Sequence, residues 1–443
     1  MSAAPPDAPG HRGDASPGRR RAEADRSAAG AAVPVGDLLS PETAAAIVLD
    51  GIRPVDGIYD VTLAAARGRI AAADITATVP LPRFDNAAVD GYGLDAADLG
   101  GAPATLRVIG RATAGHAADS AAVAGAAVRV LTGARVPDGV AAVIAQERTV
   151  RDGDELTVPQ PPSPGANIRR RGEDVAPGTV IVRAGSVLDA RHLAILAAAG
   201  VARLTVRRRL RVGVLSTGDE LVEPGTEPGP NGIVDSNRPM LTALIAGPAF
   251  EVVDLGAVAD RVEAVAAVLA GAARHLDLVV SSGGVAGSEA DAVADAIRRA
   301  GGTCRSLKLA LRPGKPIAVG RLGDTAVLAL AGNPVAAMVG LLLFGRPLAA
   351  RLAGAAAPVR GGFPAEAAEP IRHRPGRTEF LPAAITGRTA DGRPRIASLG
   401  RGGSARLLPL AAADGLAELP AEDGDVETGA SVRFHPFATA FAL

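Results

Sequence analysis

Between residues 209 and 355 the sequence alternates between short aliphatic runs and helical segments. The runs that predict strands are RLRVGVLST, EVVDLGAVA, DLVVSSGG, PIAVGRL and TAVLALAGN, and helical segments such as ADRVEAVAAVLAGAARHL lie between them. This alternation predicts a doubly wound, mixed or parallel sheet covered by helices on both faces. Ligands of such sheets bind beyond the carboxyl ends of the strands, so we expect functional residues there.

The flanking segments have a different pattern, and at 443 residues the chain exceeds one ordinary core. Short Val, Ile and Leu runs separated by glycine and proline predict β structure on both sides of the α/β region. The fold class is therefore multidomain α/β plus β. The predicted units are a disordered tail at 1–33, an elongated connector domain at 34–74 and 166–206, a β-rich module at 75–165, the α/β domain at 207–356 and a small β domain at 357–443.

Local signals predict where several helices begin and end. Ser40 can cap a helix that begins with a proline. A second short helical piece is expected at 60–67, and a further helix at about 189–199 closed by Gly200. The apolar run at 336–345 is too short to cross a bilayer and is expected to form a buried helix.

Charge and cysteine content exclude several classes of function. The 47 acidic and 47 basic residues give no net charge, which removes the broad basic surface typical of nucleic-acid-binding proteins. The single cysteine, Cys304, excludes an internal disulfide framework and a cysteine zinc cluster. These features favour a cytoplasmic protein without a membrane anchor.

Carboxylates follow the predicted strands of the central region. Asp219 and Glu220 come after the first strand, Asp260 after the next, and Asp291 after the SSGG turn. Taken singly, each could simply cap a helix or stabilise a turn. Gathered at one edge, they indicate a hard cation with oxygen ligands, Mg²⁺ in particular, which would bridge to phosphates of a ligand.

Lysine is almost absent from the chain. Of the 47 Lys and Arg residues only Lys308 and Lys315 are lysine, and both lie in SLKLALRPGKPIAVG. Alternation would place Lys308, Ala310 and Arg312 on one side of a strand that ends at the Pro313–Gly314 turn. Because an ammonium group is a compact charge with mobile donors, the retained lysines indicate an anion site, although chance survival would leave the same pattern.

Two further segments carry polar residues that suggest a ligand site. In AGNP, Asn333 can cap a long helix whose N-terminus would itself attract an anion, with Pro334 in the first position. In LPRFDNAAVDGYG of the β-rich module, Asp90 is the residue expected to contact ligand or metal if the loop reaches an active site, and LTGARVPDG adds Thr132. Each segment could equally be a helix start or a surface turn.

Taken together, these segments resemble the molybdopterin molybdenumtransferase family, the bacterial MoeA proteins and the related C-terminal domain of gephyrin. The resemblance covers about residues 36 to 438 and rests on ordered motifs. These are PLPRFDNAAVDGYG, VRVLTGARVPDG, RRRGEDVAPG, VGVLSTGDELVEPG, DSNRPML, DLVVSSGGVAGSEAD, LKLALRPGKP and LALAGNPVAA.

The resemblance implies insertion of molybdate into adenylylated molybdopterin, with release of AMP and a divalent cation, Mg²⁺, as cofactor. It implies a MogA-like central domain and an elongated homodimer whose active site is shared between subunits. The implied catalytic set is Asp90, Thr132, Glu220, Asp260, Asp291 and Lys308, with Glu220, Asp260 and Asp291 nearest the metal. The implied ligand-binding set is Thr217, Gly218, Asp219, Ser236, Asn237, Ser282, Gly283, Gly284, Arg312, Pro313, Gly314, Lys315, Gly332, Asn333 and Pro334.

The sequence also departs from the pattern that the resemblance implies. Ala87 and Ala286 stand where relatives usually have serine, Ser288 replaces a glycine, and Arg312 replaces a third lysine. Together with Ala336, these alanines remove hydroxyl donors from ligand loops. An alternative function is therefore a paralogue that binds molybdopterin or its cofactor as a carrier or scaffold without turnover.

Overall fold

The first helix begins at the residues that the sequence indicates. The computed structural model describes residues 1, 38–116, 118–285, 292–356, 361–400, 403 and 405–440, so the predicted tail, apart from its first residue, lies outside the described residues. Helix α1 spans Pro41–Leu49, and the Ser40 hydroxyl accepts a hydrogen bond from the backbone N–H of Thr43 at 3.2 Å. Buried Ala44 and Val48 of α1 pack into the largest hydrophobic core.

The connector begins with strands where a helix was expected. Strand β1 is Ile58–Thr62, a 3₁₀ turn follows at Leu63–Ala65, and β2 is Ile75–Thr76. The predicted helical piece at 60–67 is therefore wrong at 60–62, which belong to β1, and is reduced to one 3₁₀ turn at Leu63–Ala65. Because β1 pairs antiparallel with Arg203–Arg207, far along the chain, its conformation depends on a partner that no local pattern reveals.

The β-rich module forms one six-stranded sheet in the order β7-β4-β6-β5-β9-β8, as the short apolar runs predict. Two 3₁₀ turns, at Ala96–Leu99 and Gln146–Arg148, interrupt it. Its strands, with the outlying β3, are β3 Asn86–Ala87, β4 Gly91–Leu94, β5 Ala104–Ala112, β6 Ala126–Val130, β7 Ala142–Ala145, β8 Val150–Asp152 and β9 Glu155–Val158.

The chain then returns to the connector through three short strands and one helix. Strand β10 is Ile168–Arg169, β11 is Val180–Val182 and β12 is Arg203–Arg207; they pair with β3, β2 and β1 respectively. Helix α2, Ala190–Ala198, matches the predicted helix at 189–199. The exact limits of the units remain a prediction.

The central region forms the predicted mixed sheet, in the order β16-β13-β17-β21-β20-β18. Its first four strands are parallel, and β20 runs antiparallel to both of its neighbours. The strands are β13 Leu210–Thr217, β16 Phe250–Val258, β17 Leu278–Ser282, β18 Thr303–Lys308, β20 Pro316–Leu322 and β21 Thr325–Leu330, with β14 Leu221–Val222, β15 Ile233–Val234 and β19 Leu311–Arg312 outside the sheet.

Four helices cover this sheet: α3 Asn237–Ile245, α4 Val262–Ala272, α5 Ala292–Arg299 and α6 Pro334–Ala353. Helix α6 contains a π-helical segment at Leu341–Gly345. It is long and apolar enough to cross a membrane, but 83% of its apolar window is buried inside the protein. As the apolar run at 336–345 predicts, α6 is a core helix.

The predicted single strand at 308–312 is in fact two short strands in two different sheets. Strand β18 ends at Lys308, and Leu309 and Ala310 bond to the backbone of Lys315 and Leu39. Strand β19 then pairs with the following domain, Leu311 opposite Thr378. The prediction fails because Leu309 is fully buried and the chain turns around it to reach another sheet.

The C-terminal domain is a small barrel closed by pairing of β23 with β25. Its strands, with β19 as an edge, have the order β19-β23-β24-β22-β26-β25. Its elements are β22 Phe363–Ala367, β23 Thr378–Arg388, β24 Pro394–Ser398, α7 Leu407–Ala411, β25 Gly415–Leu419, β26 Ser431–Pro436 and α8 Phe437–Ala440. Phe380, Leu410 and Leu416 of this domain share one core with the central sheet, so the barrel is fixed against the sheet.

Candidate active site

One side chain connects three segments at the carboxyl ends of the central strands. Asn237, the first residue of α3, donates from Nδ2 to Ser282 Oγ at 2.7 Å and to the carbonyl oxygen of Gly332 at 2.6 Å. Asn237 and Ser282 are both buried. The α3 start, the end of β17 and the loop before α6 therefore form one rigid edge. The predicted Ser236 occupies the position just before α3.

The two glycines after β17 are required by their backbone geometry. Gly283 and Gly284 have φ angles of 92° and 65°, which residues with side chains rarely adopt. A Cβ on Gly283 would lie 2.2 Å from the carbonyl oxygen of Thr217. The predicted SSGG turn thus lets two strand ends approach each other closely.

Acidic residues of two neighbouring strand ends meet beside this turn. Asp219 Oδ1 accepts a hydrogen bond from the backbone N–H of Asp260 at 3.1 Å. A Cβ on Gly218 would lie 2.7 Å from Glu220 Oε2, so the Glu220 carboxylate folds back over this loop. The structure therefore brings Asp219, Glu220 and Asp260 to the edge where the sequence predicts them.

The donors beside Gly284 are all oxygens, which suits Mg²⁺. A Cβ at Gly284 would lie 2.7 Å from Thr217 Oγ1 and 3.2 Å from Asp260 Oδ1, so both oxygens face the same small space. Thr217 Oγ1 is buried and has no hydrogen-bond partner among the described residues. Asp291, the third predicted ligand, lies outside the described residues, and within them no three His, Cys, Asp or Glu side chains form a metal-binding cluster.

Asp235 also follows a strand but has a structural role. It is 2% exposed, and its Oδ2 accepts from Arg238 Nε at 3.1 Å. Arg238 also bonds to Glu223 and Asp254. Burial opposes the charge of Arg238, but these three carboxylates outweigh burial and hold its pKa above the ordinary value. This ion-pair network fixes the start of α3, where Asn237 lies.

A cleft of about 650 Å³ opens between this edge and the C-terminal barrel. Among its walls are Val285, the 311–316 loop and the 331–336 segment. The predicted site residues that line it are Glu220, Arg312, Pro313, Gly314, Lys315, Gly332 and Asn333. The cleft is therefore lined by two of the predicted ligand segments, the 311–316 loop and the start of α6, together with Glu220.

The barrel contributes cationic residues that sequence reasoning missed. Arg377 and Arg406 line the cleft together with Arg312 and Lys315, and Glu220 and Glu379 are its carboxylates. No local motif marks Arg377 or Arg406 in the sequence; only the packing of the barrel against the sheet brings them there. The positive side chains indicate a site for an anionic ligand.

A buried acid positions one of these cations. Glu379, 3% exposed, bonds to His373 Nδ1 at 3.0 Å and lies 3.5 Å from Arg312 Nε. The His373 ring also contacts the carbonyl oxygen of Pro420 through Nε2 at 2.8 Å. Arg312 is therefore held on a chain of contacts anchored inside the barrel.

Other predicted residues lie elsewhere. Lys308 is exposed at the end of edge strand β18, and it is not one of the described residues that line the cleft. Pro334 takes the first position of α6, but the Asn333 side chain makes no capping bond, contrary to prediction. This leaves the Asn333 amide exposed toward the cleft.

Asp90 and Thr132 form a separate pair in the β-rich module. Asp90 Oδ1 accepts from both the backbone N–H and Oγ1 of Thr132, each at 2.7 Å. The backbone bond, then the hydroxyl bond, hold the pKa of Asp90 below its ordinary value. Neither Asp90 nor Thr132 is among the described residues that line the cleft.

Comparison with known proteins agrees with this arrangement along the chain. Family models match residues 39–200 (MoeA N-terminal region, domain I and II), 213–351 (probable molybdopterin binding domain) and 364–437 (MoeA C-terminal region, domain IV). The molybdopterin molybdenumtransferase of Haemophilus influenzae is 36% identical over 374 residues, 84% of this chain and 92% of the relative. The chain belongs to the molybdopterin molybdenumtransferase (MoeA) family.

Other MoeA relatives support the same assignment. Molybdopterin molybdenumtransferase 2 of Mycobacterium tuberculosis is 35% identical over 382 residues, covering 84% of this chain and 93% of the relative. The crystal structure of a molybdopterin biosynthesis MoeA protein from Pyrococcus horikoshii OT3 matches with a TM-score of 0.76 at 31% identity, over 90% of this chain and 99% of that chain. The multidomain architecture is thus that of MoeA proteins, as the motifs predict.

Proposed function

We propose that this protein is a molybdopterin molybdenumtransferase, which inserts molybdate into adenylylated molybdopterin and releases AMP. The observation that carries the proposal is the cationic cleft at the carboxyl edge of the central sheet, in a chain 36% identical to a relative of that name. Both substrates are anions, and the cleft offers four positive side chains: Arg312, Lys315, Arg377 and Arg406.

These side chains would act by binding and orientation. Guanidinium groups can bind phosphate and molybdate oxygens through paired N–H donors, whereas the Lys315 ammonium can approach a single oxygen. Residues 331–336 place the N-terminus of α6 at the same cleft, which favours negative charge. Fixed positive charge would lower the cost of bringing two anions together and would hold them in reacting geometry.

The acidic loops would hold Mg²⁺ on the other side of the substrate. Glu220 and Asp260, with Asp291 as the predicted third ligand, would bind the cation. When bound, it would neutralise phosphate charge as the phosphoanhydride is cleaved. Support comes from the oxygens of Thr217 and Asp260 that face the space beside Gly284.

We further propose that the enzyme works in the cytoplasm as a homodimer, with the Asp90–Thr132 pair completing the cleft of the partner subunit. The resemblance of the motifs implies this sharing. The pair is held by two hydrogen bonds although Thr132 is exposed and neither residue is among the described residues that line the cleft. Lys308, at the exposed end of β18, keeps its proposed role facing the anionic substrate.

The decisive experiment measures AMP release by purified protein with adenylylated molybdopterin, Mg²⁺ and varied molybdate. We expect release that requires molybdate. Tight binding of molybdopterin without AMP release would instead identify a carrier. If the protein neither binds molybdopterin nor releases AMP, the proposed function is rejected. Omitting Mg²⁺ and restoring it tests the metal separately, because the carrier alternative predicts no metal-dependent turnover.

A further inference from the structure

Arg69 is a buried arginine without a carboxylate partner. Across the described ranges, two arginines are buried, Arg238 at 5% and Arg69 at 8% exposure. Arg238 is surrounded by three carboxylates. Arg69 donates only from Nη2 to the carbonyl oxygen of Arg207 at 2.9 Å, and its Nε has no partner in the described structure. Burying a guanidinium without a counterion costs free energy. This suggests that a bound anion supplies the missing negative charge.

Arg69 lines a small cavity whose other walls are mostly cationic. The cavity has about 170 Å³, and it is lined by Tyr59, Arg69, Arg208, Arg209, Arg211 and Glu251. This space equals that of several water molecules at about 30 Å³ each, enough for an anion of four oxygens. The residues come from the connector and from the amino ends of β13 and β16.

The positive charge of this cavity is not neutralised by its neighbours. Arg208 is matched by Asp277 through two hydrogen bonds of 2.6 and 2.7 Å. Arg211 lies 3.9 Å from Glu251, with both side chains about half exposed, so the pair is weak. Burial, and then the charge of Arg209, lower the pKa of Arg69 below its ordinary value. Arg69 and Arg209 thus line the same cavity, and neither has a carboxylate partner in the described structure.

We propose that the cavity around Arg69 and Arg209 binds a tetrahedral dianionic oxyanion of the phosphate class. Arg69, Arg209 and Arg211 would surround it with guanidinium donors, which suit phosphate oxygens. The two negative charges of a dianion would balance more than one unpaired arginine. The same arginines would repel a metal cation. The anion would contact residues of the connector and the central domain together and stabilise their junction.

This site is distinct from the cleft. Strand β13 has eight residues and separates the two edges, a distance of about 26 Å at about 3.3 Å per residue. The cleft lies beyond its carboxyl end and the Arg69 cavity at its amino end. An anion at Arg69 is therefore not a substrate bound at the cleft, and the proposal holds whether or not the protein turns over molybdopterin.

The test is calorimetric titration of the full chain with inorganic phosphate. The background is the triple variant Arg312→Gln, Arg377→Gln, Arg406→Gln, which suppresses anion binding at the cleft. We expect it to bind one phosphate per chain. Adding Arg69→Gln should weaken binding at least about tenfold, because it removes a charged hydrogen-bond donor from the anion. Arg183→Gln, an exposed connector charge away from the cavity, is the matched control and should change nothing.

Several outcomes would overturn the site. One is the absence of phosphate binding by the triple variant, and another is phosphate binding by the Arg69→Gln variant as tight as that of the background. If Arg69→Gln does not fold, exposed Arg209→Gln replaces it and should still weaken binding several-fold; unchanged affinity would reject the proposal. Sulfate and molybdate should compete with phosphate and acetate should not, so competition by acetate equal to that by sulfate would contradict the assignment to tetrahedral dianions.

Discussion

Replacing Arg238 by methionine should destabilise the central domain more than the loss of an exposed ion pair does. Arg238 is 5% exposed and is the only described cation within hydrogen-bond distance of Asp235, which is 2% exposed. Its removal would leave the Asp235 carboxylate buried without a counterion. The backbone N–H groups of Asn237 and Arg238 that bond to Asp235 Oδ1 would remain, but they carry no net charge.

The loss of stability can be estimated from the buried charge that each substitution leaves without a partner. Removing one partner of a buried pair costs about 3–5 kcal/mol, because the other charge is left uncompensated. Asp235→Asn should cost less, about 1–3 kcal/mol, because Arg238 keeps Glu223 and Asp254, both more than half exposed. The double variant, with neither charge, should be more stable than the sum of the two single changes predicts.

The assay can be made local because the chain contains no tryptophan. Phe250 packs against the core beside α3, so Phe250→Trp introduces a single tryptophan next to the perturbed helix. Urea unfolding followed by this signal gives the stability of the central domain. The control is Arg299→Met, which breaks an exposed pair with Glu263 at 3.4 Å and should cost at most about 1 kcal/mol. Equal losses for Arg238→Met and Arg299→Met would refute the reasoning.

Three further predictions concern the site. Gly283→Ala should cost more than the about 1–3 kcal/mol of backbone strain in the same unfolding assay, because φ is 92° there and the added Cβ would also lie 2.2 Å from the carbonyl oxygen of Thr217. Arg377→Gln should lower kcat/KM for molybdate-dependent AMP release by about tenfold or more, whereas Arg374→Gln, exposed in the same domain, should leave it unchanged. Thr132→Val should raise the pKa of Asp90, measured by NMR titration, but not to its ordinary value, since the Thr132 N–H still donates. Because the folded pKa of Asp90 is depressed, its stabilising contribution is present above the ordinary carboxyl range and is lost as pH falls through the folded pKa.

The sequence predicts those parts of the fold in which local chemistry and burial agree. Strand β17 is buried along its whole length and β13 at every residue except Arg211, and both are mainly aliphatic runs that end in hydroxyl residues. Helix α1 carries its own start signal in Ser40. In such segments the side chains alone restrict the backbone to one conformation, so the prediction depends little on the rest of the molecule.

Prediction fails where a distant segment decides the conformation. Residues 60–67 contain alanines and leucine that favour a helix, but β12 pairs with β1 and imposes a strand. The alternation at 308–312 suggests one strand, but Lys308 and Ala310 bond to Leu39 whereas Leu311 and Arg312 pair with the barrel strand β23. For the same reason Arg377 and Arg406 could not be assigned to the cleft, because their place depends on how the barrel packs.

The two lysines illustrate how far a composition signal reaches. Their retention indicates an anion site, and Lys315 does line the cationic cleft. Lys308 ends the edge strand β18, and its carbonyl oxygen accepts from the Leu39 N–H at 2.8 Å. Because β18 is three strands from β17, each step being about 4.8 Å, the Lys308 side chain would have to extend along the sheet edge to meet a ligand held beside Gly284, where Asp260 Oδ1 lies. A substrate as long as an adenylylated pterin could span that edge, with its charged groups distributed between the acidic loops and the cations, whereas molybdate alone could not.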